Sequence, residues 1–155
     1  MYKNVKQGWY RLLNPEKFIK PIDELMKSYK DGHVNYKSSL ELKAVRYADW
    51  NKDVVKWSLE PFPIQYLKPT TGKVHRYYID LVLEFRNSEK FLVEIKPHSQ
   101  TKPPTKPRKN TPKAQLNYAR GLETYLVNQA KWDAAKSFGK TNGFKFIILT
   151  EKELN

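Results

Sequence analysis

VHRYYIDLVLEFR (Val74 to Arg86), the polar turn Asn87-Ser88-Glu89 and KFLVEIK (Lys90 to Lys96) read as two β-strands joined by a tight turn. Both runs are rich in β-branched and aromatic residues. Side chains alternate between the faces of a strand, so His75, Tyr77, Ile79, Leu81, Leu83 and Phe85 are predicted on one face. Asp80 then lies on the other with Tyr78 and Val82. In the second strand Phe91, Val93 and Ile95 share a face, and Glu94 and Lys96 point together away from it. A three-residue loop at Asn87 to Glu89 pairs Arg86 with Lys90, sets Asp80 opposite Lys96 and diagonal to Glu94, and keeps all three on one side of the sheet. A two-residue loop without a bulge would put Asp80 and Glu94 on opposite faces, so the reading depends on register.

Two carboxylates about 5 Å apart repel by roughly 3 kcal/mol at an effective dielectric near 20. A divalent cation and the adjacent ammonium of Lys96 would offset that repulsion. The chain has no cysteine, and His33, His75 and His98 lack ligand spacing. Any metal is therefore expected on oxygen ligands, which suits Mg²⁺, or Mn²⁺, better than zinc.

A chain of 155 residues is expected to form one domain with its own core. Its formal net charge of +13 points to a polyanionic partner such as nucleic acid, and aromatic residues at 14% supply groups that pack on sugars and bases. Charge alone serves a non-catalytic binder as well as an enzyme. No apolar stretch approaches the ~20 residues of a membrane span, and the start MYKNVKQGWYR lacks a signal-peptide core. A cytosolic or virion setting is expected.

Residues 1–37 are predicted as a helical extension: Asn14-Pro15 opens a helical segment carrying Phe18, Ile22, Leu25, Met26 and Tyr29, whole or broken in two at Pro21, which Asp31-Gly32 ends. The core spans 38–155. A second helix runs from Ser38 or Ser39 to about Asn51, and Asp53 to Leu67 is extended, as two short strands or one bent one around Pro61 and Pro63. Pro97 to Lys113 holds five of the ten prolines, five basic residues and no acid, which predicts a basic extended loop. It reads equally as a solvated linker or as an arm that tracks a phosphate backbone beside the site. From Pro112 to about Lys140 the pattern is helical, with Leu116, Ala119, Leu122, Leu126, Ala130, Ala134 and Phe138 on one stripe. FKFIILT (Phe144 to Thr150) follows as an apolar strand of the doubly buried kind, parallel to its neighbour because a helix makes the crossover.

Ser38-Ser39-Leu40-Glu41 offers a third acid. As a capping box it would satisfy only a backbone N–H, yet Glu41 shares a helical face with Ala44, Val45 and Ala48, where an unpaired carboxylate is costly. Glu60 reads as a further ligand or, in preference, as a structural partner of Arg46 or Arg76. Lys73, His75 and Arg76, upstream of Asp80, are candidate DNA contacts. So are Lys102, Lys106, Arg108 and Lys109 of the loop, and Lys113 and Gln115 at the start of the helix after it. Trp132 reads as core.

With S-x-x-E at Ser38 to Glu41, the aspartate at Asp80 and E-x-K at Glu94 to Lys96, the chain resembles the PD-(D/E)xK nuclease superfamily. The resemblance implies a restriction-endonuclease-like α/β fold (α+β) with an αβββαβ core and a mixed central sheet. Within the superfamily it is similar to the head-completion nucleases of T-even-type tailed phages, akin to the endonuclease subunit of heteromeric transposases. SSLELKAVRYADWN, VVKWSLEPFPIQY, HRYYIDLVL, VEIKP and VNQAKWDAAKSFGKTNGFKFIILTEKEL carry that similarity. It implies a Mg²⁺-dependent DNA endonuclease, with Glu41, Asp80 and Glu94 as catalytic acids and metal ligands and Lys96 as catalytic lysine. Double-stranded DNA is the implied partner, and phage head, portal or neck proteins are further candidates. The superfamily's proline before the aspartate is Ile79 here. A non-catalytic DNA-binding virion protein and a transposon- or resolvase-type endonuclease on the same fold are the alternative readings.

Overall fold

The computed structural model describes residues 6–21 and 28–155. The described part of the N-terminal extension is not a helix. It is a small antiparallel sheet of β1 (Gly8–Arg11), β2 (Tyr29–Lys30) and β3 (His33–Tyr36), in the order β1-β3-β2, with a single 3₁₀ turn at Pro15–Lys17. Asp31 and Gly32, expected to stop a helix, form a two-residue hairpin turn between β2 and β3, with φ of 49° and 76°. Positive φ at both central positions marks the type I′ turn that Asp-Gly favours. Ile22, Leu25 and Met26 of the expected helix lie outside the described residues.

The rest follows the expected order, with one insertion. α1 (Ser39–Trp50) is capped by Ser38, whose side chain accepts the Glu41 N–H. β4 (Val54–Leu59) comes next, then β5 (Pro63–Lys68) and β6 (Lys73–Tyr78), which pair only with each other as a two-stranded ribbon. β7 (Leu81–Phe85), β8 (Lys90–Ile95), α2 (Pro112–Asn142), β9 (Lys145–Leu149) and the short α3 (Glu151–Leu154) complete the chain. The central sheet has the order β4-β7-β8-β9, with β9 parallel to β8 and the other pairs antiparallel. The extended segment after α1 is thus two strands in two different sheets.

Each face of the central sheet has its own core. Ala44, Val45 and Ala48 of α1 pack with Trp57, Leu81, Leu83 and Val93 on one side. Trp132 and Ala135 of α2 pack with Leu92, Ile79 and the ribbon's Ile64, Tyr66 and Tyr77 on the other. Fully burying one such aliphatic or aromatic side chain contributes about 1.5–3 kcal/mol. α2 runs undivided through Gly121 and Asn128, but its expected stripe is only partly buried. Leu116 and Leu126 are exposed, because the sheet meets the helix only from about Asn128 onward, where Asn128, Trp132, Ala135 and Gly139 are buried. β9 is likewise half-buried rather than enclosed, since it is the edge strand of its sheet.

Asp49 joins the N-terminal sheet to α1. Fully buried, it accepts the Tyr10 hydroxyl (2.7 Å) and the Leu13 and Asn14 N–H groups (2.9 and 3.0 Å). Its carbonyl accepts from the Asn14 side chain and from Lys17. Burial, with the Asp49 carboxylate beside it, pushes the Tyr10 hydroxyl up to about 12. Asp49→Ala strands these donors and is expected to lower the unfolding free energy by about 3 kcal/mol or more. Urea denaturation would show this as a lower midpoint at unchanged slope.

Candidate active site

The β7–β8 register decides the site. Leu81 pairs with Val93, Val82 with Leu92, Leu83 with Phe91 and Glu84 with Lys90, and this register carried one step past β7 sets Asp80 level with Glu94. The hairpin does have three loop residues, but they are Arg86 to Ser88. Phe85 N–H donates to Glu89 O (2.8 Å), Ser88 N–H donates to Phe85 O (2.9 Å), and Ser88 takes φ 71°. Pairing is therefore shifted by two residues from the sequence expectation. A shift of two leaves parity within the hairpin unchanged, and it sets Asp80, just past the end of β7, level with Glu94 rather than with Lys96.

A second correction lies at Ile79. Tyr77 and Ile79 belong to the core under α2, whereas Leu81 and Leu83 belong to the core under α1. The expected continuous strand from Val74 to Arg86 changes sheet at Ile79 and Asp80, and the shared face predicted for His75 through Phe85 is broken there. Ile79 occupies the superfamily's proline position, where a residue that cannot donate to a ladder would mark the same break. The switch brings the Tyr77 hydroxyl to Glu94, where it donates to Oε2. Continuous alternation had directed Tyr77 away from the site, and no local signal in the sequence shows otherwise.

Asp80 is held from two sides. Its Oδ2 accepts the Ile95 N–H (2.8 Å), and its carbonyl accepts the Glu60 N–H (3.1 Å). Lys96 Nζ stands 3.4 Å from Glu94 Oε1. Burial raises the Asp80 carboxyl well above the usual carboxylate range, and the charges of Glu94 and Glu41 raise it further, against the Ile95 N–H and Lys96. Glu41 is raised too, chiefly by burial, with Glu60 adding repulsion and Lys37 opposing. Glu41 does not close a capping box: its Oε2 accepts the N–H of Lys37 (2.8 Å), one residue before the Ser38 cap, and its charge acts on Asp80. Glu60 pairs with Lys37 (3.3 Å), not with Arg46 or Arg76, and adopts φ 42°, a strained conformation for a non-glycine residue beside the site.

The candidate DNA contacts stand on two surfaces. Lys73 and Arg76 are exposed on the ribbon, and His75, half-buried there, lies against Tyr66 and Thr71. Lys102, Lys106, Arg108, Lys109, Lys113 and Gln115 are exposed on the segment leaving Lys96. That segment is not free along its whole length, because a Cβ at Gly121 would stand 3.3 Å from Pro104, so the loop lies on α2. The start of α2 is capped from within by Thr111, whose hydroxyl accepts the Ala114 N–H, and Gln115 donates to Asn110. Arg76 lines a cleft of about 890 Å³ with Gln65, Ser137, Thr141 and Asn142; none of the four central site residues lines it.

Residues 51–151 match the model of the TnsA-like endonuclease N-terminal family. The chain belongs to this family. It is also 35% identical over 121 residues to the head completion nuclease of Enterobacteria phage T4, an alignment covering 78% of this chain and 81% of that protein. Asp80, Glu94 and Lys96 fall inside the span matched to the endonuclease family, and Glu41 falls before it. Among the described residues, no three acidic or histidine side chains close on a single point. The donor set is a facing carboxylate pair with Glu41 as an outlying third. It fits Mg²⁺, which takes one or two carboxylates and completes its octahedron with water and substrate phosphate.

A carboxyl whose folded pKa exceeds its unfolded value binds its proton more tightly when folded. Its stabilising contribution is present at low pH and is lost as pH rises from the ordinary 3.8 through the raised value. In EDTA, Asp80→Asn removes this penalty, so it should melt several degrees above the wild type at neutral pH, with the gap closing as pH falls toward about 4. Calorimetric melting across that range checks the sign.

Proposed function

We propose that this chain is a Mg²⁺-dependent endonuclease acting on double-stranded DNA, and that it serves phage head completion. The observation carrying the proposal is buried Glu94 beside half-buried Asp80, with Lys96 on Glu94, in a chain of net charge +13. Mutual repulsion inside a folded protein is a lasting cost, and a cation with a phosphodiester offsets it. Asp80 and Glu94 would hold the ion, with Glu41 as a third carboxylate whose charge reaches Asp80. A bound Mg²⁺ supplies Lewis-acid polarisation of the scissile phosphate and lowers the pKa of a bound water.

The side chains of this protein position and compensate. Ile95 N–H fixes the Asp80 carboxylate, and Lys96 orients the attacking water and balances charge that grows on phosphorus. The expected products are 5′-phosphate and 3′-hydroxyl ends. The approach to the site is electropositive on both flanks: Pro61 to Ile79 and Ile95 to Leu122 contain no acidic residue. The first stretch is the ribbon, with Lys68, Lys73 and Arg76; the second is the arm with Lys102, Lys106, Arg108, Lys109 and Lys113. These exposed cations give phosphate contacts that hold the duplex in register without reading its sequence. The likeness to a head completion nuclease supports the biological setting and makes head, portal or neck proteins the natural partners.

Supercoiled and linear DNA incubated with Mg²⁺ should be cut by the wild type and left intact with EDTA or by Asp80→Ala. Lys96→Ala should lose about 10²–10³-fold in rate. DNA binding without cleavage by the wild type would replace the enzyme with a non-catalytic binder. Replacing Lys102, Lys106, Arg108 and Lys109 together by alanine should flatten the plot of log affinity against log salt, by ~0.9 for each phosphate that the arm no longer neutralises.

A further inference from the structure

We propose that Tyr77 is a positioning residue for the metal site: its hydroxyl clamps the Glu94 carboxylate in the orientation a divalent cation requires. The inference rests on the metal-site reading above. Glu94 is buried and its two oxygens are differently engaged, with Lys96 at Oε1 and the Tyr77 hydroxyl on Oε2. The clamp comes from another sheet. Tyr77 belongs to the β5–β6 ribbon, opposite Ile64, and reaches Glu94 only because the chain changes sheet at Ile79 and Asp80.

The phenol is itself held in place. Its ring is buried at 6% exposure in the cluster with Ile79, Leu92 and Trp132, and the Lys131 ammonium stands over it, 5.6 Å from the ring centre. A glutamate side chain otherwise gives up rotamer freedom when a ligand orders it. Tyr77 imposes that order before any ion arrives, which is how an outer partner raises the affinity of a ligating carboxylate.

Tyr77→Phe keeps the ring and removes the hydroxyl. Calorimetric titration of the DNA-free protein with Mn²⁺ should give a dissociation constant ~10–100-fold weaker than the wild type's. The Mn²⁺ concentration for half-maximal cleavage should rise in parallel, while affinity for DNA in EDTA stays unchanged. Melting in EDTA checks that the variant is folded. Equal Mn²⁺ affinity in folded Tyr77→Phe and wild type overturns the positioning role and leaves the metal site standing. A loss of DNA affinity or of melting temperature with Mn²⁺ affinity intact also overturns it, because Tyr77 would then be structural. Failure of the wild type itself to bind Mn²⁺ overturns the metal reading, and this inference with it.

Discussion

The hydrogen bond from Ile95 N–H to Asp80 Oδ2 spans the point where two sheets meet, and the site is organised around it. Asp80 stands between the ribbon and the central sheet. Its carbonyl is tied back to Glu60 and its carboxylate across to β8, so the junction is fixed from both directions. Carried one step past β7, the register sets Asp80 level with Glu94, and the Glu94 charge acts on the Asp80 carboxyl. Because the chain turns over at Ile79, the ribbon's Tyr77 closes on the same carboxylate from outside the central sheet. A one-residue slip in the hairpin would dismantle all of these relations at once.

The distribution of charge sharpens the point. A chain with 29 basic and 16 acidic residues nonetheless brings Glu41, Glu60, Asp80 and Glu94 into mutual influence. Lys37 and Lys96 compensate in part, and burial removes the water that would screen the rest. Strained backbone at Glu60 belongs to the same neighbourhood. Such concentrated local cost in an otherwise well-packed fold is characteristic of a site whose ligand completes it. The buried Asp49 is the opposite case: a full set of donors surrounds it, and its role is to fasten the N-terminal sheet to α1.

Much of this could be read along the chain wherever the cause is local. The Ser38 cap, the alternation of β7 and β8 and the crossover helix before a parallel β9 each depend on neighbours in sequence, and each is present. Asp31-Gly32 was also local, but the same residue pair ends a helix or turns a hairpin, and only the pairing of Tyr29 with Val34 chooses between them. Leu116 and Leu126 fit an amphipathic stripe and are nonetheless exposed, since periodicity says which residues share a face and not whether anything covers it. Glu60 found Lys37 rather than an arginine because β3 and α1 fold over the end of β4, which brings distant segments together.

Residue types and spacing were enough to pick out Asp80, Glu94 and Lys96 and to demand that the two acids share a face, because side-chain parity in a strand is a property of the covalent chain. Which partner each acid meets is not. That Asp80 stands level with Glu94, that the charge of Glu41 reaches Asp80 from α1, and that Tyr77 grips Glu94 depend on where one strand leaves its sheet and on a hairpin loop set one residue earlier, which shifts the pairing by two. Those outcomes are settled by packing on the two faces of the sheet. Burying Ile79 under α2 and Leu81 under α1 determines the turn at Asp80, and no single strand carries that information.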